Sequence, residues 1–105
     1  MSQSTIIHSG QTVSDPIDLV TADLVRVTTP AGWDGGNLTA QVSYDGTNYT
    51  AYVDETGAAL TLVAAASKTI RVPPLDWDGV RFFKLVAASA VGADRTLILT
   101  TIERG

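Results

Sequence analysis

Apolar and polar residues alternate along Leu38-Thr39-Ala40-Gln41-Val42-Ser43-Tyr44. That period of two turns one side of a β-strand to a core, here Leu38, Ala40, Val42 and Tyr44, and the other to water. Asp45-Gly46-Thr47-Asn48 supplies turn chemistry, and Tyr49-Thr50-Ala51-Tyr52-Val53 resumes the extended pattern, so the two runs read as a hairpin. Further strand-like runs cover residues 24–28, 69–72, 80–87 and 95–102, with 60–63 a shorter candidate. The runs over 80–87 and 95–102 are apolar on both faces, as in strands covered on both sides or lying at an interface. Ala64-Ala65-Ala66 has helical propensity, but it is short and Pro73-Pro74 follows, so it reads as a loop.

Trp-Asp-Gly occurs twice, at Trp33-Asp34-Gly35 and Trp77-Asp78-Gly79, each after a proline-bearing stretch and before a strand-like run. Leu38 and Val42 follow the first at the offsets that Phe82 and Val86 follow the second, which predicts two equivalent corners of one sandwich. Short strands about ten residues apart, separated by Gly, Pro, Asp and Asn, indicate an all-β chain. The expected fold is a single antiparallel β-sandwich, jelly-roll or immunoglobulin-like, over residues 16–105. Residues 1–15, rich in Ser, Thr and Gln, are expected as a flexible N-terminal arm, either ordered by a partner or frayed.

The chain has 105 residues, 45% of them hydrophobic and 17% charged, enough for one core but with a sparsely charged surface. This balance points to uncharged Thr, Ser, Ala and Gly surface that a partner covers. Net charge is −4, and the basic residues Arg26, Lys68, Arg71, Arg81, Lys84, Arg95 and Arg104 are scattered singly, which argues against nucleic-acid binding. The absence of cysteine tilts towards folding in a reducing compartment. The N-terminus lacks the basic and apolar regions of a signal peptide, and the longest weakly polar stretch, 57–66, is too short for a membrane helix.

Candidate chemistry is thin. His8 is the only histidine, so neither a Ser-His-Asp arrangement nor a zinc site is expected, and no catalytic residue, metal or cofactor is assigned. Asp34, Asp45, Asp76 and Asp78 lie in glycine turns, where aspartate ordinarily bonds nearby backbone N–H groups rather than calcium. The aromatic residues are the remaining candidates. Trp33 and Trp77 either plug the ends of the core or stand exposed as platforms for a sugar or a partner. Tyr52 is the residue expected to be exposed, because Tyr49, Ala51 and Val53 take the other face.

The segment Gln41-Val42-Ser43-Tyr44-Asp45-Gly46-Thr47-Asn48-Tyr49-Thr50 resembles a hairpin of discoidin-like sandwiches, but no binding residue carries over from it. Over a larger span, from Val13 to Ile102, the chain resembles small proteins encoded among the structural genes of tailed bacteriophages. Pro30 to Gly35, Ser43 to Tyr49, Asp78 to Phe82 and the closing Ala93-Asp94-Arg95-Thr96-Leu97 carry that likeness. The resemblance implies a virion component of β-sandwich fold that decorates the capsid. The expected mechanism is association through uncharged β surface, with the major capsid protein or further copies of itself as partners and the arm docking on a neighbouring capsid subunit. The alternative expectation is a carbohydrate-binding or adhesion module, with glycan contact through Trp33, Tyr52 or Trp77.

Overall fold

A computed structural model describes residues 2–103. Its strands, in chain order, are β1 (Ser2–Ile7), β2 (Ile17–Asp18), β3 (Ala22–Thr28), β4 (Leu38–Ser43), β5 (Thr50–Ala51), β6 (Thr69–Arg71), β7 (Phe82–Ala87) and β8 (Arg95–Glu103). One helical turn, α1 (Pro74–Trp77), precedes β7. The strands form two antiparallel sheets, ordered β1-β8-β3-β6 and β2-β7-β4-β5. The chain changes sheet at every connection except β4 to β5. Eight strands wound in this order make a jelly roll, which decides between the two sandwich types expected.

Alternation sets the core. Phe83, Leu85 and Ala87 of β7 and Leu38 and Ala40 of β4 point inward, against Ile7, Leu24, Val27, Leu97 and Leu99 of the other sheet. In β8 the intervening side chains face solvent: Ile98 is 42% exposed and Ile102 57%, so this strand is covered on one side only. A register shift between Leu24 and Arg26 leaves Val25 as a bulge, and the Val25 carbonyl takes the Val72 N–H beyond the end of β6.

The expected N-terminal arm is built into the sandwich. Ser2–Ile7 pairs with β8 without a break, from Ser2 opposite Thr100 to Ile7 opposite Arg95. Thr5 and Ile7, two residues apart, both point inward and are buried. The Thr5 hydroxyl donates to the Asp15 carbonyl, and the buried Ser14 hydroxyl accepts the Leu85 N–H. Hydroxyl groups satisfied by backbone in this way let a polar sequence enter a core, which hydrophobic patterning does not register.

The two Trp-Asp-Gly copies are not equivalent corners: Leu38 and Val42 turn towards the core, whereas Phe82 and Val86 lie on the face opposite the buried Phe83, Leu85 and Ala87, and the two copies also differ in conformation. β4 and β7 are antiparallel neighbours, with Leu38 opposite Ala87 and Ser43 opposite Phe82, so the copies precede opposite ends of one strand pair. Trp33 lies in an irregular loop and its Nε1–H donates to the Gly36 carbonyl at 3.0 Å. Trp77 closes the helical turn that Pro73-Pro74 starts. At Gly35 an added Cβ would stand 2.7 Å from the Trp33 ring and 2.9 Å from Ala87, so the first copy needs glycine for close approach.

Candidate interaction surfaces

The outward residues of β1-β8-β3-β6 fall into rows set by the strand register. Ser4, Ile98, Thr28 and Thr69 lie across all four strands, and Ile6 and Thr96 extend the surface on one side of that row. Thr28 and Thr69 join their hydroxyls at 2.9 Å. On the other side lie Ser2, Thr100, Arg26 and Arg71, then Asp23 opposite Ile102. The centre of this face is therefore uncharged, with charge gathered at one end. Strands of six, nine, seven and three residues, at about 3.3 Å per residue and about 4.8 Å apart, give it an area of about 400 Å².

Arg26 and Arg71 are directly opposite each other, a like-charge pairing that opposes strand association. Both are exposed, and among the described residues neither forms an ion pair. Other basic groups are engaged: Arg81 reaches Asp18 at 2.8 Å and Arg95 reaches Asp34 at 3.2 Å. Arg26 and Arg71 border a cavity of about 250 Å³ shared with Val25, Pro74 and Ile102.

The opposite sheet carries a groove of about 490 Å³ between the β4–β5 turn and the start of β7. Tyr44 and Phe82 are its aromatic walls, and Tyr44 is 91% exposed. The Arg81 guanidinium lies 4.6 Å from the Phe82 ring centre, and the Lys84 ammonium 4.3 Å from that of Tyr49. The turn is stitched by Asp45, which accepts the N–H groups of Thr47 and Asn48, the Asn48 side-chain amide and the Ser43 hydroxyl. The Asn48 and Thr47 bonds, foremost, hold its carboxyl well below the usual aspartate range.

The residues proposed for partner or glycan contact lie elsewhere. Trp33 is 6% exposed and Trp77 3%, so both tryptophans plug the core. Trp77 meets Phe83 edge to face at 5.1 Å and Tyr52 at 5.8 Å. Tyr52 faces inward rather than outward: its N–H bonds the carbonyl of core residue Ala40, and its hydroxyl donates to the Asp76 carbonyl. Burial pushes its phenol pKa up. Tyr44 is the exposed ring because the Ser43 hydroxyl bonds the Gly46 N–H and ends the strand before Tyr44 can turn inward.

Other aspartates serve turns and crossings. Asp34 of the first Trp-Asp-Gly accepts from Arg95 and from the Gly92 N–H, and Arg95 foremost lowers its pKa. His8 bonds Asp15 at 3.1 Å and lies 3.7 Å from Asp94, and the Asp15 bond foremost raises its pKa above 6.5. Among the described residues no group of three or more His, Asp or Glu side chains is placed to hold a metal. No described helix is long and apolar enough to cross a membrane. Comparison with protein-family models, curated proteins and solved structures gave no match.

The uncharged face has a sequence signal in the alternation Thr96, Ile98, Thr100, Ile102 of β8. The Arg26–Arg71 apposition has none, because the two residues are 45 positions apart in the chain and meet only through sheet register.

Proposed function

We propose that this chain is a structural component of a tailed-bacteriophage virion that decorates the capsid by laying the outer face of β1-β8-β3-β6 on major capsid subunits. The observation that carries the reading is that face's uncharged Ser/Thr/Ile centre, with Ile98 exposed in its middle row. Desolvating Thr, Ser and Ile costs far less than desolvating carboxylates or ammonium groups. The jelly-roll order adds support, since that architecture recurs in capsid and lectin domains. The resemblance to phage structural proteins supplies the biological setting.

The face offers about 400 Å², short of the roughly 800 Å² per partner of a stable standard interface. One copy therefore binds weakly, and repetition over a symmetric shell provides the avidity that holds the layer in place. Docking belongs to this sheet face and not to a free arm. Co-sedimentation with undecorated particles tests the reading. Ile98→Asp, which places a charge in the middle row, is expected to lower occupancy at least tenfold while thermal unfolding stays unchanged. Undiminished binding of that variant would overturn this assignment of the surface.

A second reading, glycan adhesion, is favoured by one observation: the exposed Tyr44 ring beside the groove over Phe82. It moves the sugar contact from Trp33, Tyr52 and Trp77 to Tyr44. Glycan-array binding abolished by Tyr44→Ala and retained by Ile98→Asp would replace the capsid reading with this one.

A further inference from the structure

The four sheet edges are protected very unequally. β2 is two residues long, carries Asp18 and follows Pro16; β5 is also two residues long. β6 is three residues long, carries Arg71 and runs into Pro73. Brevity, charge and proline are the devices that stop a strand from recruiting another. β1 has none of them: its six residues include no charge and no proline, and its pairing with β8 is unbroken.

The outward backbone groups of β1 are identified by one bond. The Ile6 carbonyl takes the Asp15 N–H while the neighbouring residues pair with β8. Alternation along a strand then turns the N–H and C=O groups of Ser2 and Ser4 away from β8 as well. No described residue takes them up. Both serines are exposed.

We infer that β1 pairs, antiparallel and across a two-fold axis, with β1 of a second copy of this chain. The register that avoids the occupied Ile6 carbonyl sets Ser2 opposite Ser4 of the second copy and Gln3 opposite its own equivalent. Each Ser2–Ser4 pair exchanges two backbone hydrogen bonds, four in all. Although the chain carries net charge −4, the strands that meet are neutral, so no like charges oppose each other across the seam.

Closure also selects a second copy. Pairing joins the sheets as β6-β3-β8-β1-β1-β8-β3-β6, and both new outer edges are the short β6 with Arg71 and Pro73. Growth stops at two, as an isologous interface requires. The outer faces become continuous and double to about 800 Å², the size that one copy falls short of. This pairing stands independently of the virion reading, and its test uses the isolated protein.

Sedimentation equilibrium over a concentration series is the experiment. The wild-type mass is expected to rise towards twice that of one chain and level off there. Ser4→Pro removes an N–H that the β8 ladder does not use and is expected to stay monomeric with an unchanged circular dichroism spectrum. Ser4→Ala, which keeps the backbone, is expected to behave as wild type. Amide exchange on the wild type supplies a readout independent of Ser4→Pro folding: protection of the Ser2 and Ser4 amides should increase with concentration. A wild type that stays monomeric throughout, a dimer indifferent to Ser4→Pro, or continued growth past two copies overturns the inference. So do Ser2 and Ser4 amides whose exchange does not change with concentration.

Discussion

Replacing Trp77 by Ala removes the largest side chain at one end of the core. The indole is 3% exposed and wedged edge to face between Phe83 and Tyr52, at 5.1 and 5.8 Å. Truncating a buried Trp typically costs about 3–5 kcal/mol, the lost aromatic contacts contributing roughly 0.5–1.5 kcal/mol each to such totals. The site is bounded by Phe83 of β7 and by Tyr52, so a loss of about 4 kcal/mol, in the middle of that range, is expected. A domain of this size has roughly 5–15 kcal/mol in all, which leaves the variant folded but marginal. At roughly 4–8 °C per kcal/mol the melting temperature should fall by about 16 °C or more. Urea unfolding followed by circular dichroism measures the loss, with the fluorescence of Trp33 as a second probe. An exposed aromatic platform would lose under about 0.5 kcal/mol on the same substitution. A measured loss below about 1 kcal/mol would refute the core-plug assignment and reopen Trp77 as a contact residue.

Ser14→Ala strips the buried Leu85 N–H of its acceptor and the Asp15 carbonyl of a donor, and is expected to cost about 1–3 kcal/mol in the same urea assay. Val20 is β-branched yet sits at φ 57°, in the left-handed region, and is 55% exposed; Val20→Asn should raise stability by about 1 kcal/mol by relieving that strain. The His8 pKa is raised above 6.5 in the folded chain, chiefly by Asp15, so its contribution is complete below pH 6.5 and lost as pH rises through the folded value. His8→Gln should flatten that alkaline-going limb in a pH series of thermal melts. Asp45, Asp34, Asp18 and Asp54 are lowered from 3.8, so their contributions are present above that pH and lost as pH falls through the folded values. Asp45→Ala should reduce the steepness of the acid limb.

Much of the fold was legible because apolar and polar residues alternate in β4 and because Asp45-Gly46 announces the hairpin, whereas the two-sided apolar runs of β7 and β8 mark strands without showing which face turns inward. The expected short strand at 60–63 survives as a bridge between Leu62 and Leu38. β1 escaped notice because its inward positions include Thr5, whose hydroxyl is satisfied by the Asp15 carbonyl. The strand pattern puts Tyr52 on the outer face for a different reason. Its phase depends on pairing with Ala40, and one residue of register inverts a whole strand. The helical turn holding Trp77 arises from Pro73-Pro74, a local signal that the matching Trp-Asp-Gly motif obscured. Strand order, and with it the meeting of Arg26 and Arg71, is a property of long-range pairing that no short window contains.

The measurement that bears most directly on the proposed role is the copy number of this chain in purified phage particles, by quantitative mass spectrometry against the major capsid protein. A decoration layer repeated by the shell's symmetry predicts a number comparable with that of the capsid subunits. A particle that contains none of the chain would contradict the account.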